Sequence, residues 1–116
     1  MKPIILIMPW PVMRELSPNW RGHWANKAKA KKKLRAAWAA AALEQGVRRL
    51  LVPALNVRLE FVPPDLRSRD LDNLLASCKA GLDGLADVLG VDDSTWSIAI
   101  SKAAGKGGFV RVEVTV

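Results

Sequence analysis

Hydrophobic residues alternate with polar ones in one part of the chain and recur at helical spacing in another. Residues 55–62 alternate, which predicts a strand with one buried face that ends at Pro63. Residues 71–89 carry a single apolar stripe, which predicts an amphipathic helix capped by Asp70 and Gly90. The stripe consists of Leu71, Leu74, Leu75, Cys78, Leu82, Leu85 and Leu89.

The N-terminal half is predicted to hold one strand and one long helix. Residues 4–8 form a short apolar run before two prolines, which is typical of a buried strand. Residues 11–23 contain several turn formers and predict a loop. Residues 25–45 are rich in Ala, Lys, Arg and Leu, all of which favour a helix, and Gly46 suits its end.

The C-terminal part predicts two more strands. Residues 96–102 and 109–116 alternate, and the glycine-rich segment 105–108 predicts a hairpin turn between them. The predicted order is β-α-β-α-β-β. We therefore expect an α/β (α+β) fold in which residues 1–116 form one domain, with a mixed sheet packed against two helices.

Composition excludes several classes of protein. Half of the residues are apolar and 25% are charged, which is enough for one packed core. With one Cys and one His, a single chain can build neither a disulfide framework nor a Cys/His zinc site. The apolar runs are too short to cross a bilayer and no secretory signal is evident, so we expect a cytoplasmic protein with no membrane contact.

The net charge of +7 is unevenly distributed. Residues 21–49 hold nine basic residues and one acid, whereas residues 65–93 hold seven acids and three basic residues. Such a pair of segments is typical of a protein that binds both a polyanion and a cation. The alternative is a solvated helix face with scattered surface acids.

The acidic segment contains a candidate metal site. Asp70 and Asp72 open the second predicted helix, and Asp92 and Asp93 follow its end. The strand after Asp93 can return toward the start of the helix and bring these carboxylates together. Mg²⁺ prefers oxygen ligands, and a bound metal ion can activate water for phosphodiester hydrolysis. The alternative is that these residues are helix caps and turns. Asp83 and Asp87 lie on the polar side of the helix and are interpreted as solvated surface acids.

Several motifs resemble those of a known family. They are Met8-Pro9-Trp10-Pro11, Leu16-Ser17-Pro18-Asn19, His23-Trp24, Arg69-Asp70-Leu71-Asp72-Asn73-Leu74, Leu82-Asp83-Gly84-Leu85 and Gly90-Val91-Asp92-Asp93. Together they resemble the RusA family of Holliday-junction resolvases, in particular its phage-type members. The resemblance spans nearly the whole chain, and the Arg-Asp-Leu-Asp-Asn block is its most specific part.

The resemblance implies a homodimeric, Mg²⁺-dependent endodeoxyribonuclease, with Mn²⁺ as a substitute and no small-molecule cofactor. Such an enzyme resolves four-way DNA junctions by paired symmetrical nicks in recombination and repair. Asp70, Asp72 and Asp93 would be its catalytic, metal-binding carboxylates, and Lys79 would be its catalytic lysine. Lys79 departs from the family pattern, because it follows Asp72 by seven residues instead of one helical turn. It returns to the same helix face about 10 Å further along the axis.

A second set of residues is predicted to contact DNA. Its members are Lys27, Lys29, Lys31, Lys32, Lys33, Arg35, Arg67 and Arg69. Lysine clusters neutralise phosphates, although they also occur on solvated helix faces, and the two arginines near Asp70 could instead offset carboxylate charge. Trp20 and Trp24 flank a basic loop, where they could stack on unpaired bases or belong to a core or an interface.

Two other functions remain open for this sequence. One is a non-catalytic, basic nucleic-acid-binding module in which the Asp residues serve as caps and turns. The other is a metal nuclease that acts on a different branched DNA. His23 is interpreted as structural rather than as a general base, and Cys78 as a packing residue on the apolar stripe.

Overall fold

A computed structural model describes residues 2–18 and 20–116, which form a four-stranded sheet and its covering helices. The elements in chain order are β1 (Ile4–Pro9), α1 (Met13–Leu16), α2 (Trp24–Glu44), β2 (Leu55–Val62), α3 (Leu71–Leu89), a 3₁₀-helix (Asp93–Thr95), β3 (Trp96–Lys102) and β4 (Phe109–Thr115). The predicted α+β class is confirmed, as are the positions of the four strands and two long helices. The short helix α1 lies in the segment predicted to be loop.

The sheet has the order β1-β4-β2-β3, in which only β2 and β3 are parallel. The predicted hairpin between β3 and β4 is therefore wrong, because β4 pairs with β1 and β2 instead. The connecting segment 103–108 crosses the end of β2 and is held there by backbone hydrogen bonds. Gly107 N donates to Pro63 O at 2.8 Å and Gly108 N to Val62 O at 2.8 Å. Alternating strands with glycines between them do not reveal whether the strands are neighbours.

The core lies between one face of the sheet and the two long helices. Trp38 of α2, Phe61 of β2 and Leu85 of α3 are fully buried in it. The alternation predicted for β2 is confirmed. For β1 the prediction of a buried strand holds for one face only. Leu6 and Met8 are buried, whereas Ile5 and Ile7 point to the sheet face opposite the helices and are 43% and 47% exposed.

The two long helices approach each other closely along the C-terminal half of α3. A Cβ atom added at Gly84 would lie 2.1 Å from the backbone oxygen of Arg35 in α2, and one added at Gly81 would lie 2.5 Å from the ring of Trp38. Glycine is thus required for this helix packing. No helix in the described part of the chain is long and apolar enough to cross a membrane.

Candidate nucleic-acid interface and carboxylate site

A basic groove of about 630 Å³ runs between α2, α3 and the segment around α1. The charged side chains along it are those of Lys27, Lys31, Lys32, Arg35, Lys79 and Asp83. The groove therefore gathers five cations against one acid among the described residues that line it. Because lysines four residues apart share one face of a helix, Lys27 and Lys31 face this groove together.

The lysines of α2 predicted to contact DNA thus divide into two groups. Lys27, Lys31 and Lys32 line the groove, whereas Lys29 and Lys33 lie outside its lining and are exposed. Lys27 Nζ also donates a 3.3 Å hydrogen bond to the backbone oxygen of Ser17, which ties the start of α2 to the preceding segment. The groove-facing lysines are the candidates for phosphate contact.

Arg35 has a structural partner in addition to its place beside the groove. Its guanidinium donates two 2.8 Å hydrogen bonds to the carboxylate of Asp87 in α3. The arginine lowers the pKa of Asp87 through these hydrogen bonds and its positive charge. Asp87 was predicted to be a solvated surface acid. It is partly exposed, but it also joins α2 to α3.

Lys79 connects the groove to the segment that follows α3. Its ammonium donates hydrogen bonds to Asp93 and to Asp83, the latter at 3.1 Å. The hydrogen bond from Lys79 lowers the pKa of Asp93, and the same contact raises the pKa of Lys79. Both side chains are therefore charged at neutral pH. Asp83, which was predicted to be solvated, completes this three-residue cluster.

Asp92 and Asp93 have different surroundings although they are adjacent. The carboxylate of Asp92 accepts a 2.9 Å hydrogen bond from Ser94 N and caps the 3₁₀-helix. Asp93 instead faces Lys79 from the first position of that helix. The cap interpretation thus applies to Asp92, and Asp93 is the member of the pair that lies beside the groove.

Asp70 and Asp72 are exposed at the beginning of α3. Asp70 occupies the N-cap position as predicted, but its side chain makes no capping hydrogen bond. Neither carboxylate has a hydrogen-bond or ion-pair partner in residues 2–18 and 20–116. Asp72, Ala76 and Lys79 follow one another at helical spacing, so Asp72 stands at the end of the face that lines the groove.

The described residues contain no group of three or more His, Cys, Asp and Glu side chains that could hold a metal ion. Asp93 lies against Lys79, and the structure does not gather it with Asp70 and Asp72 into such a group. The metal site of three carboxylates stays a prediction.

The segment before α3 is held by a cluster of charged residues. Arg69 is nearly buried, and its guanidinium donates two hydrogen bonds, of 2.8 and 3.1 Å, to Asp65 and lies 5.7 Å from the centroid of the Trp10 ring. These arginine contacts hold the pKa of Asp65 well below its usual range. Lys102 Nζ donates to the backbone oxygen of Arg69 at 2.8 Å, directly before Asp70.

The two predicted DNA-binding arginines differ in this cluster. Arg69 offsets the charge of the Asp65 carboxylate, which is the alternative to DNA contact given above for the two arginines. Arg67 contacts Asp65 through its backbone N–H and its guanidinium, and it keeps an exposed side chain beside Arg14 in a shallow pocket. The role of Lys102 was not predicted, because a lysine at the end of a strand gives no sequence signal of its partner.

His23 and Trp24 form an exposed aromatic pair at the start of α2. His23 is the N-cap, and its Nδ1 accepts a 3.1 Å hydrogen bond from Ala25 N, which confirms a structural role. The two rings are nearly parallel, at 23°, with centroids 5.7 Å apart. Trp24 is 76% exposed, so a place in the core of this chain is excluded for it.

Comparison with known proteins adds one relative. No protein-family model matches the chain. The chain is similar to a protein of Xylella fastidiosa strain Temecula1 that is described as uncharacterized, with 41% identity over 91 residues. The matched region covers 76% of this chain and 59% of the relative, so the chain spans about three fifths of that protein.

Proposed function

We propose that the protein is a metal-dependent endodeoxyribonuclease that cuts branched DNA, with the four-way junction as its substrate. The observation that carries the proposal is the continuity of the Asp72–Lys79 face of α3 with a groove lined by five cations. A cationic groove attracts a polyanion and neutralises its phosphates. The resemblance of the Arg69–Leu74 block to the RusA family supports the choice of substrate and a homodimeric assembly.

The carboxylates at the start of α3 have the chemistry that Mg²⁺ requires. Mg²⁺ is bound in such enzymes by one or two carboxylates together with water and substrate phosphate oxygens. Asp70 and Asp72 supply two carboxylates that no side chain of the described chain neutralises, and Asp93 is the proposed third carboxylate. When bound, the ion supplies an activated water and stabilises charge on the phosphate.

The remaining residues of the site position the DNA. Lys79 is charged and faces the groove, so its ammonium can donate a hydrogen bond to a phosphate oxygen while Asp93 holds the other side of it. The exposed guanidinium of Arg67 can bind a neighbouring phosphate. Arg69 and Lys102 hold the backbone that leads into Asp70, and they act as positioning residues.

The decisive experiment uses a synthetic four-way junction with and without Mg²⁺. We expect symmetrical nicks in two opposite strands when Mg²⁺ or Mn²⁺ is present, and no cleavage in chelator. A linear duplex with the same arm sequences is the matched control and should stay intact. Absence of cleavage by folded, DNA-bound protein would contradict the proposal.

The contribution of the groove is tested separately from cleavage, with Ca²⁺ or chelator in place of Mg²⁺. We expect the double variant Lys31→Gln/Lys32→Gln to reduce the slope of log affinity against log salt by about two, because two phosphate contacts are lost. Lys29→Gln/Lys33→Gln removes the same charge outside the groove and should change the slope less. Equal slopes in the two variants would show that the groove does not hold the DNA.

A second candidate function is a non-catalytic DNA-binding module. The observation that favours it is the pairing of Asp93 with Lys79, because this ion pair uses a carboxylate that metal-dependent cleavage would need. In that case the junction should bind with the same dependence on groove lysines and remain uncut at every concentration of Mg²⁺ and Mn²⁺.

A further inference from the structure

The tryptophans of the chain are unequally exposed. Trp38 and Trp96 are buried in the core, and Trp10 packs on Phe61 and under Arg69. Trp24 instead presents its ring to solvent. An indole is a large apolar surface, and exposing it costs free energy that burial would recover. A planar group stacked on the ring would recover part of that free energy.

The ring of Trp24 has one aromatic neighbour, His23, among the described ring contacts. His23 is anchored by the hydrogen bond that its Nδ1 accepts from Ala25 N, and its ring lies nearly parallel to the indole. The outer face of the indole stays open. Stacking on His23 restricts the rotation of the indole, which reduces the conformational freedom lost when a second planar group stacks on it.

Helical spacing aligns this ring with the groove. Trp24, Lys27 and Lys31 are separated by three and four residues, so they occupy one face of α2. The two lysines line the groove, and the indole therefore stands at one end of it.

We propose that Trp24 is a stacking platform for an unpaired nucleobase of the DNA whose phosphates lie along the basic groove. The proposal rests on the DNA binding that the proposed function requires, and it adds how the site selects distorted DNA. The base would stack on the open face of the indole while the adjacent phosphates meet Lys27 and Lys31. Base stacking on an aromatic side chain is independent of sequence, since every base has a π-face.

The charge around the platform decides between a base and a second protein surface. Glu44 is the single acid among residues 21–49, and it lies at the opposite end of α2 from Trp24. A second copy of the same basic surface would be repelled from this place. A polyanion carrying planar bases matches both the charge and the ring.

The test measures affinity for two DNAs in chelator, so that cleavage does not interfere. One is a perfect duplex, and the other is the same duplex with three unpaired thymines at its centre. We expect Trp24→Ala to reduce the preference for the bulged DNA by about tenfold and to leave duplex affinity within about twofold. Trp24→Phe should retain most of the preference.

Leu51→Ala is the matched control, because Leu51 is 90% exposed and lies in the chain segment beyond the far end of α2. It should leave both affinities unchanged. An equal loss on both DNAs in Trp24→Ala, or no loss at all, would overturn the proposal. A change in sedimenting mass of Trp24→Ala in the absence of DNA would assign the ring to an interface between copies and would also overturn it.

The outcome is separable from the endonuclease proposal. If the wild-type protein prefers bulged DNA through Trp24 but never cuts a junction in Mg²⁺, the stacking proposal stands and the nuclease proposal fails. If the wild-type protein cuts junctions but Trp24→Ala keeps the full preference for bulged DNA, only the stacking proposal fails. If the wild-type protein binds neither DNA, both proposals fail.

Discussion

The two halves of α3 carry carboxylates in opposite settings. At the N-terminal end, Asp70 and Asp72 have no partner in the described chain, although they sit where a helix start favours negative charge. In the C-terminal half, Asp83 is bound by Lys79 and Asp87 by Arg35. Acids of the second kind contribute to the fold, whereas acids of the first kind remain available to a ligand.

Packing separates the two halves in the same way. Gly81 and Gly84 let the C-terminal half approach α2 to within backbone contact, and Leu85 and Leu89 are fully buried there. The first turn contributes only the partly buried Leu71 to the core before Leu74. The C-terminal half of α3 is therefore a packed contact with α2, whereas the N-terminal end is an exposed, charged helix start.

Asp72→Asn is expected to have the largest effect on function and almost none on stability. The proposed cleavage of a four-way junction in Mg²⁺ should fall by roughly 10²- to 10³-fold, the scale of losing one preorganised electrostatic group. The free energy of unfolding should change by less than about 1 kcal/mol, because Asp72 loses no side-chain partner and gives up only its favourable place at the helix start. Single-turnover cleavage and urea unfolding measure the two quantities.

Asp87→Asn is the matched control from the other half of the helix. It removes the same charge and one of the two hydrogen bonds that Asp87 accepts from Arg35, so it should lower stability and leave the cleavage rate near that of the wild type. If the two variants lose activity equally, the two halves of α3 do not differ in function.

The sequence predicts the long elements well because each has a strong period or an end signal. The stripe of α3, with Asp70 and Gly90 at its ends, and the alternation of β2 match the observed bounds. The pairing of the strands could not be predicted in the same way. Whether residues 103–108 turn back beside β3 or cross β2 depends on contacts with residues 61–63, which are distant in sequence.

The candidate site was predictable as a set of residue types but not as a set of contacts. Spacing placed Lys79 on the face of Asp72, and it could not show that Lys79 would bind Asp93 from the segment after the helix. The exposure of Trp24 could not be predicted either, since an apolar residue at the start of a helix can lie in the core or on the surface. Charge pairs and exposure depend on tertiary contacts, which local patterns do not contain.

Lys79→Ala tests the point where the two halves of α3 meet. We expect the rate of junction cleavage to fall by about 100-fold, the effect of removing one charged donor from the reacting phosphate. Junction affinity should change little, because four other cations line the groove. Single-turnover kinetics at saturating enzyme separate the chemical step from binding.

Asp83→Asn serves as the control for this cluster. It removes the negative charge that lies 3.1 Å from the ammonium of Lys79 while leaving the lysine and its bond to Asp93 in place. The cleavage rate should therefore stay within about threefold of the wild type, as for an ordinary surface substitution. A near-wild-type rate for Lys79→Ala itself would transfer the phosphate-binding role to Arg67.

Gly84→Ala, in the C-terminal half of α3, should lower stability more than substitution of the exposed carboxylates in the N-terminal half. The new Cβ atom would lie 2.1 Å from a backbone oxygen, which cannot rotate away as a side chain can. We expect a loss of about 1–3 kcal/mol in the free energy of unfolding, the usual cost of overpacking, even though Ala favours a helix over Gly. Urea unfolding measures it, and an unchanged midpoint would show that α2 and α3 can separate without cost.

The smallest expected effect is the acid dependence of the ion pair between Arg35 and Asp87. The pKa of Asp87 lies below its ordinary value of 3.8 in the folded protein, because Arg35 donates hydrogen bonds to the carboxylate. The unfolded chain therefore takes up the proton first as the pH falls. The stabilisation is complete above the ordinary pKa and disappears as the pH drops through the lower, folded value.

Urea unfolding of the wild type and of Asp87→Asn should consequently differ near neutral pH and converge in acid, as the pH falls through the lowered pKa of Asp87. The difference should also shrink in high salt, because both side chains are about half exposed and the pair is screened. Asp72→Asn loses no ion pair, so its effect on the free energy of unfolding should be smaller than that of Asp87→Asn and should change less in high salt. If the two variants lose equal stability and the loss shrinks equally in high salt, Asp72 has a cationic partner in solution and the contrast between the two halves of α3 does not hold.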